Sequence, residues 1–184
     1  MSRRPPSGTS HLTSEARPAE TESVEHLRSA DAGAWFLLAV GVIGLGLSAY
    51  LTTLHYAGIA PLCTTGGVVN CGSVLTSSYS VVPGTSIPVT VPGMIWFIVS
   101  GALAITSVRC ARRGLAEPWW LRPGHVVWAV LGLISVLYFV YAEVVQLHKL
   151  CEWCTGVHVL VFLSLLVTLA RLQSTRVHLP DGSQ

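Results

Sequence analysis

The sequence predicts an all-α integral membrane protein, a four-transmembrane-helix bundle with an extracytoplasmic loop or lid. Three observations carry this. Hydrophobic residues make up 51% of the 184-residue chain and charged ones only 11%, against about 25% charged in a soluble domain. The apolar residues gather into stretches long enough to cross a bilayer, and the basic residues keep to alternate connections between them. The net charge of +2 is too small to imply a nucleic-acid partner.

Residues 1–32 come first and hold Pro5, Pro6, Arg3, Arg4, Glu20, Glu22 and Glu25 with no apolar run. Such a segment cannot offset its ordering entropy and reads as a disordered cytoplasmic tail. It has no secretory signal, so the first apolar run is expected to target and anchor the chain.

The membrane domain is expected over residues 33–173. Its four apolar runs are about 34–56, 91–108, 126–147 and 154–172. Crossing roughly 30 Å of hydrocarbon takes about 20 residues. The first and third runs suffice outright, while the second and fourth need residues from their flanks. Gly41, Gly44 and Gly46 in the first run suit close helix approach. Glu143 is the one acidic residue near a span interior. Interfacial placement is its plain reading and a proton relay its functional one. Trp35, Trp119, Trp120 and Trp128 suit interfacial belts.

Orientation follows from charge. Arg3, Arg4, Arg17, Arg28, Arg109, Arg112, Arg113, Arg122, Arg171 and Arg176 all fall on one side, and Lys149 alone falls on the other. The positive-inside rule puts both termini, including the tail 174–184, in the cytoplasm. The 57–90 loop and the turn after the third span then lie outside, at the plasma membrane surface. A connection this long is usually functional or disordered. Its uncharged run (Val74, Leu75, and Tyr79 through Val82) suggests a short helix or lid folded over the bundle.

The chemistry lies in the cysteines. Cys63 and Cys71 fall in the outer loop, and Cys151 and Cys154 form a Cys-Glu-Trp-Cys motif opening the fourth span. Two intervening residues at a helix start bring the motif's sulfurs into bonding range. The helix N-terminus favours a thiolate there, best at Cys151. Two cysteine pairs at one oxidising membrane face are suited to electron transfer by thiol–disulfide exchange. Four thiolates also suit tetrahedral zinc, but an oxidising compartment opposes keeping them free, so no metal is expected. A passive pair of structural disulfides is the remaining alternative. Cys110 lies on the cytoplasmic side and reads as an inert free thiol.

The whole pattern resembles the vitamin K epoxide reductase family, including its bacterial disulfide-forming homologues. The resemblance spans roughly residues 34–172. It rests on Cys63, Asn70-Cys71, Val74-Leu75-Thr76-Ser77, Ile87-Pro88-Val89, Gly93 and Cys151-Glu152-Trp153-Cys154. It implies a quinone-dependent thiol–disulfide oxidoreductase, with ubiquinone or menaquinone as acceptor. The implied function is to reoxidise a separate extracytoplasmic thioredoxin-fold thiol oxidase, driving disulfide bond formation. Reduction of vitamin K epoxide or quinone in a recycling pathway is the alternative activity. A structural membrane protein with passive disulfides is the alternative of another class.

By position, the resemblance makes Cys63 and Cys71 the shuttle pair, with Cys71 bonding transiently to Cys151 and Cys154 meeting the quinone. Ser77 matches the family's loop serine, which orients quinone or a sulfur; a turn or cap serine is the plainer reading. His158, four residues after Cys154, stands where vertebrate members have tyrosine. It either donates to a quinone carbonyl and carries its proton or is merely hydrogen-bonded within the bundle. Trp96, Phe97, Tyr138 and Trp153 are candidate pocket lining, though each fits a plain core or lipid-facing role. The sequence departs from the family at Val89, near which vertebrate members carry a quinone-contacting asparagine. It also has no fused thioredoxin-like domain after Leu172, so the partner is expected to be a separate chain.

Overall fold

The structure is a computed structural model that describes residues 16–64 and 66–176. Helix α1 covers Ala16–Ala57, α3 Thr90–Arg112, α4 Leu121–Tyr141 and α5 Glu152–Arg176, with a short α2 at Cys71–Leu75 between the first two long helices. Four segments are long and apolar enough to span: Ala32–Ala57, Thr90–Arg112, Leu121–Leu147 and Glu152–Gln173. The expected four-helix bundle is therefore present. The described residues contain isolated β-bridges but no strand.

The boundaries have local causes. Gly58 takes φ +66° just past α1, and the Ile59 N–H reaches back to the Leu54 carbonyl at 3.1 Å. Gly114 repeats this after α3 at φ +62°, with Leu115 N–H bonded to the Cys110 carbonyl at 2.9 Å. Both closures satisfy orphan carbonyls in the left-handed geometry that glycine tolerates. The third span starts earlier than expected, at Leu121, because Pro123 sits in the first helical turn, where its missing N–H has no partner to lose. Pro92 occupies the same position in α3.

The backbone of α1 is helical from Ala16, whereas the sequence predicted disorder over 1–32. A helix already nucleated by the span extends backwards without a new nucleus, and the strong helix formers Ala19, Glu20, Glu22, Glu25 and Leu27 favour that extension. Residues 1–15 lie outside the described residues.

Helix α1 packs on α3 and α5, and α4 closes the ring against α5 and α3. Glycines set the α1–α3 distance. A Cβ at Gly41 would meet the Gly101 Cα at 3.3 Å, and one at Gly44 would meet the Phe97 ring at 2.1 Å. Gly46 meets nothing within 4 Å, so the sequence expectation holds for two of the three glycines. Trp128 joins the bundle rather than an interfacial belt. Its indole donates to the Trp96 carbonyl at 3.1 Å, and the Trp96 indole donates to the Trp128 carbonyl at 3.0 Å. Gly132 makes room for Trp96, whose ring lies 2.6 Å from where a Cβ would stand. Outward positions such as Val42, Ile98, Leu137 and Phe162 are exposed and apolar, a surface matched to lipid.

Chain direction puts the arginine-rich connections at one end of the bundle and all four candidate cysteines at the other. At the arginine end, Glu117 pairs with Arg122 at 2.5 Å and with Arg171 at 2.7 Å, tying the α3–α4 connection to the end of α5.

Candidate functional site

Local sequence builds the cysteine end. Asn70 caps α2: its side-chain oxygen accepts the Ser73 N–H at 3.0 Å, and the Ser73 hydroxyl donates to the Asn70 carbonyl at 3.0 Å. This cap fixes Cys71 as the first helical residue. Val74 and Leu75 follow on the inward face and are buried. Covering each of them removes apolar surface from water, worth about 1.5–3 kcal/mol. The expected lid completes the loop. A 3-10 turn at Ser78–Ser80 leads into a hairpin-like return, with Val82 N–H to the Ile87 carbonyl at 2.8 Å and Val89 N–H to the Ser80 carbonyl at 2.9 Å.

Cys63 and Cys71 are joined by a disulfide with their Cα atoms 6.3 Å apart. Cys151 and Cys154 carry free thiols whose sulfurs are 2.6 Å apart, inside nonbonded contact. The two pairs meet in one cluster. Cys71 and Cys151 are both buried there with Leu51, Val74 and Leu75, and Cys63, Cys154 and Trp153 pack against it.

A polar clip holds them together. Asn70 N–H bonds to the Leu150 carbonyl at 3.0 Å and Leu150 N–H to the Val68 carbonyl at 2.9 Å, a parallel bridge next to both Cys71 and Cys151. The Lys149 ammonium donates to the Gly67 carbonyl at 3.0 Å and the Trp153 indole to the Leu62 carbonyl at 2.9 Å. The Thr64 hydroxyl donates to the Glu152 carboxylate. Trp153 therefore braces the loop and packs with its ring tilted against Tyr50 at 5.2 Å; it does not line the cavity as the sequence suggested. The pairings of this clip had no sequence signal, because the partners lie eighty or more positions apart.

Cys151 precedes the first residue of α5 and acts as its cap, its sulfur accepting the Cys154 N–H at 3.3 Å. Hydrogen bonding from the Cys154 thiol, with that backbone N–H, holds the Cys151 thiol below its usual range against the opposing effect of burial. The thiolate expected at the helix start is thus favoured where the sequence placed it.

Behind Cys154 lies a cavity of about 320 Å³ between the bundle and the lid. Cys154, His158 and Ser77 all line it, as do Trp96, Phe97 and Tyr138. His158 and Ser77 are half-buried. The Ser77 hydroxyl donates to the Val74 carbonyl at 2.8 Å, so its turn role and its place in the wall coexist. Val89 lines the same wall without a polar group. Two residues the sequence reading underrated also belong to it, His55 from the outer end of α1 and Glu143. Glu143 is 4% exposed, so it is enclosed within the bundle rather than placed at the water interface. Its solitary charge within a span was the signal.

The cavity's size is near the lower end for a small-molecule site, and its wall is chiefly apolar with a few converging polar groups. The Cys154 sulfur stands at this wall. Among the described residues, no group of three or more metal-ligating side chains comes together. Cys110 sits in α3 at the arginine end, away from all of this.

A profile of the Vitamin K epoxide reductase family matches residues 35–169. No curated protein matches the chain.

Proposed function

The chain belongs to the vitamin K epoxide reductase family, whose members are membrane oxidoreductases, and on that premise we propose that it reoxidises a separate extracytoplasmic thioredoxin-fold protein and passes the electrons to quinone, driving disulfide bond formation. The observation that carries this reading is the single cluster holding Cys63, Cys71, Cys151 and Cys154 beside the cavity.

The residues then act in order. The partner's thiolate attacks the Cys63–Cys71 disulfide at the half-buried Cys63, and the partner leaves oxidised with both loop thiols reduced. The Cys71 thiolate attacks Cys151, breaking the Cys151–Cys154 bond and expelling the Cys154 thiolate. Cys63 then attacks Cys71, restoring the loop disulfide and leaving Cys151 and Cys154 reduced. A bound quinone supplies the two-electron, two-proton acceptor that lets the pair close again. Cys154 is the sulfur on the cavity wall and is assigned to that step. His158 and Ser77 line the same cavity; His158 is assigned to orienting an acceptor oxygen, and Ser77 would do so once its hydroxyl turns from the Val74 carbonyl. The lid and the apolar wall exclude water from it.

Purified protein given a reduced thioredoxin-fold donor should reduce ubiquinone or menaquinone analogues. Cys154→Ala should abolish turnover and accumulate a Cys71–Cys151 crosslink, while Cys110→Ser should stay within about twofold of wild type. Unchanged turnover in Cys154→Ala would sink the assignment, as would full oxidation of both pairs under every donor condition, the behaviour of passive staples.

A further inference from the structure

One titratable group at the site has no part in the electron path just described. Glu143 is buried in the cavity wall and is the one acidic side chain there among the described residues. Its carboxyl group interacts with the Cys151 backbone N–H and the Cys154 thiol. It therefore lies near both ends of the Cys-Glu-Trp-Cys motif, on a different helix, and shares a cavity wall with Cys154. The backbone there is not ordinary α-helix. Residues Ala142–Leu147 form a π-helical turn, and the Glu143 carbonyl takes N–H groups from both His148 and Lys149, at 3.0 Å for the latter. Wide turns of this kind often occur at functional sites. An uncompensated carboxylate is costly to bury in a span, and a structural contact to one N–H would be served equally by an amide.

We propose that Glu143 is a catalytic proton carrier, taking the Cys154 thiol proton and delivering it to the acceptor bound in the cavity. The proposal rests on the quinone reading above. The balance is simple. Forming the Cys151–Cys154 bond releases two electrons and two protons, and converting quinone to quinol takes up two of each. One proton goes from the Cys154 sulfur to the Glu143 carboxylate and on to a quinone oxygen, so Glu143 ends as it began. The proton from Cys151 passes to water at the outer surface, and an equal one enters from water at the other oxygen. The carboxyl group is matched to this task because it is buried in the same cavity wall as the reacting sulfur and lines the space where the oxygen would sit.

Two measurements test it. Prereduced Glu143→Gln, which keeps the acceptor oxygen and the volume, should reduce quinone about a hundredfold more slowly, the scale of a lost acid–base group. Transfer from the loop pair to Cys151–Cys154, followed by thiol trapping without quinone, should stay within about twofold. The second readout needs no turnover. Infrared difference spectra between disulfide and dithiol forms of the wild type, without quinone, should show a carboxyl band that moves with carbon-13 glutamate labelling. That band should be missing in Glu143→Gln. A wild-type rate in Glu143→Gln, or no labelled carboxyl change in the wild type, overturns the proton role. Failure of the wild type to reduce any quinone would instead overturn the functional reading beneath it.

Discussion

Cys151 and Glu117 show how single side chains are tuned at opposite ends of the bundle. Cys151 does at α5 what serine or aspartate does at most helix starts: it accepts the backbone N–H three residues on. A capping sulfur is better satisfied as thiolate, so the helix start and the redox motif reinforce each other. At Glu117, burial alone would raise the carboxyl pKa. The hydrogen bond from Arg122 and the nearby Arg171 charge outweigh that and hold it below the usual carboxylate range. A carboxyl depressed in the folded state stabilises above its unfolded value and loses that contribution as pH falls through the folded one. Glu117→Gln should therefore melt below wild type at pH 7, by roughly 1.5–3 kcal/mol for lost charged hydrogen bonds. The gap should close in acid, as pH falls through the lowered folded value. Thermal denaturation in detergent at several pH values would show it; a gap that widens in acid would contradict the pairing.

The elements were legible where one local signal decided them. Uninterrupted apolar runs located the spans, and the Asn70-Cys71-Gly72-Ser73 run holds the cap that starts α2. Gly41, Gly44 and Gly46 were indistinguishable in sequence, because which face of α1 meets α3 depends on the partner helix. The structure separates them. Phe97 is 2% exposed and has nowhere to retreat, so Gly44→Ala forces its ring aside and should destabilise by about 1–3 kcal/mol. Gly46→Ala faces open space and should be neutral or stabilising by about 0.5–1 kcal/mol, since alanine favours the helix. Melting temperatures of the two variants, compared side by side, decide the matter; equal losses would mean that α1 is rotated from the position described.

At the scale of the whole molecule, the sequence revealed the bundle and the four sulfurs but not the contacts between distant segments. Cys63, Cys71, Cys151 and Cys154 were recognisable as types and spacings, and topology alone brought them to one end. The clip and the Trp96–Trp128 exchange depend on pairs far apart in the chain, for which a single sequence carries no signal. Orientation remains a proposal that the charge distribution supports. With arginines gathered at one end, an impermeant maleimide applied to intact, reduced cells should label Cys63 from outside. Cys110 should react only after permeabilisation. The reverse labelling pattern would invert the protein in the bilayer and remove its access to secreted partners.

The bridge between Val69 and Leu150 has a kinetic meaning as well. It fastens the backbone beside both Cys71 and Cys151, which share one buried cluster, so in the proposed exchange they meet as permanent neighbours and not by chance encounter. Effective molarities for well-oriented reactants in such a setting reach about 10⁵ M or more. An incoming donor then has no need to penetrate the fold. Under the proposed route it has only to touch the rim at Cys63, and the inward leg of the journey is then left to rotations about side-chain bonds.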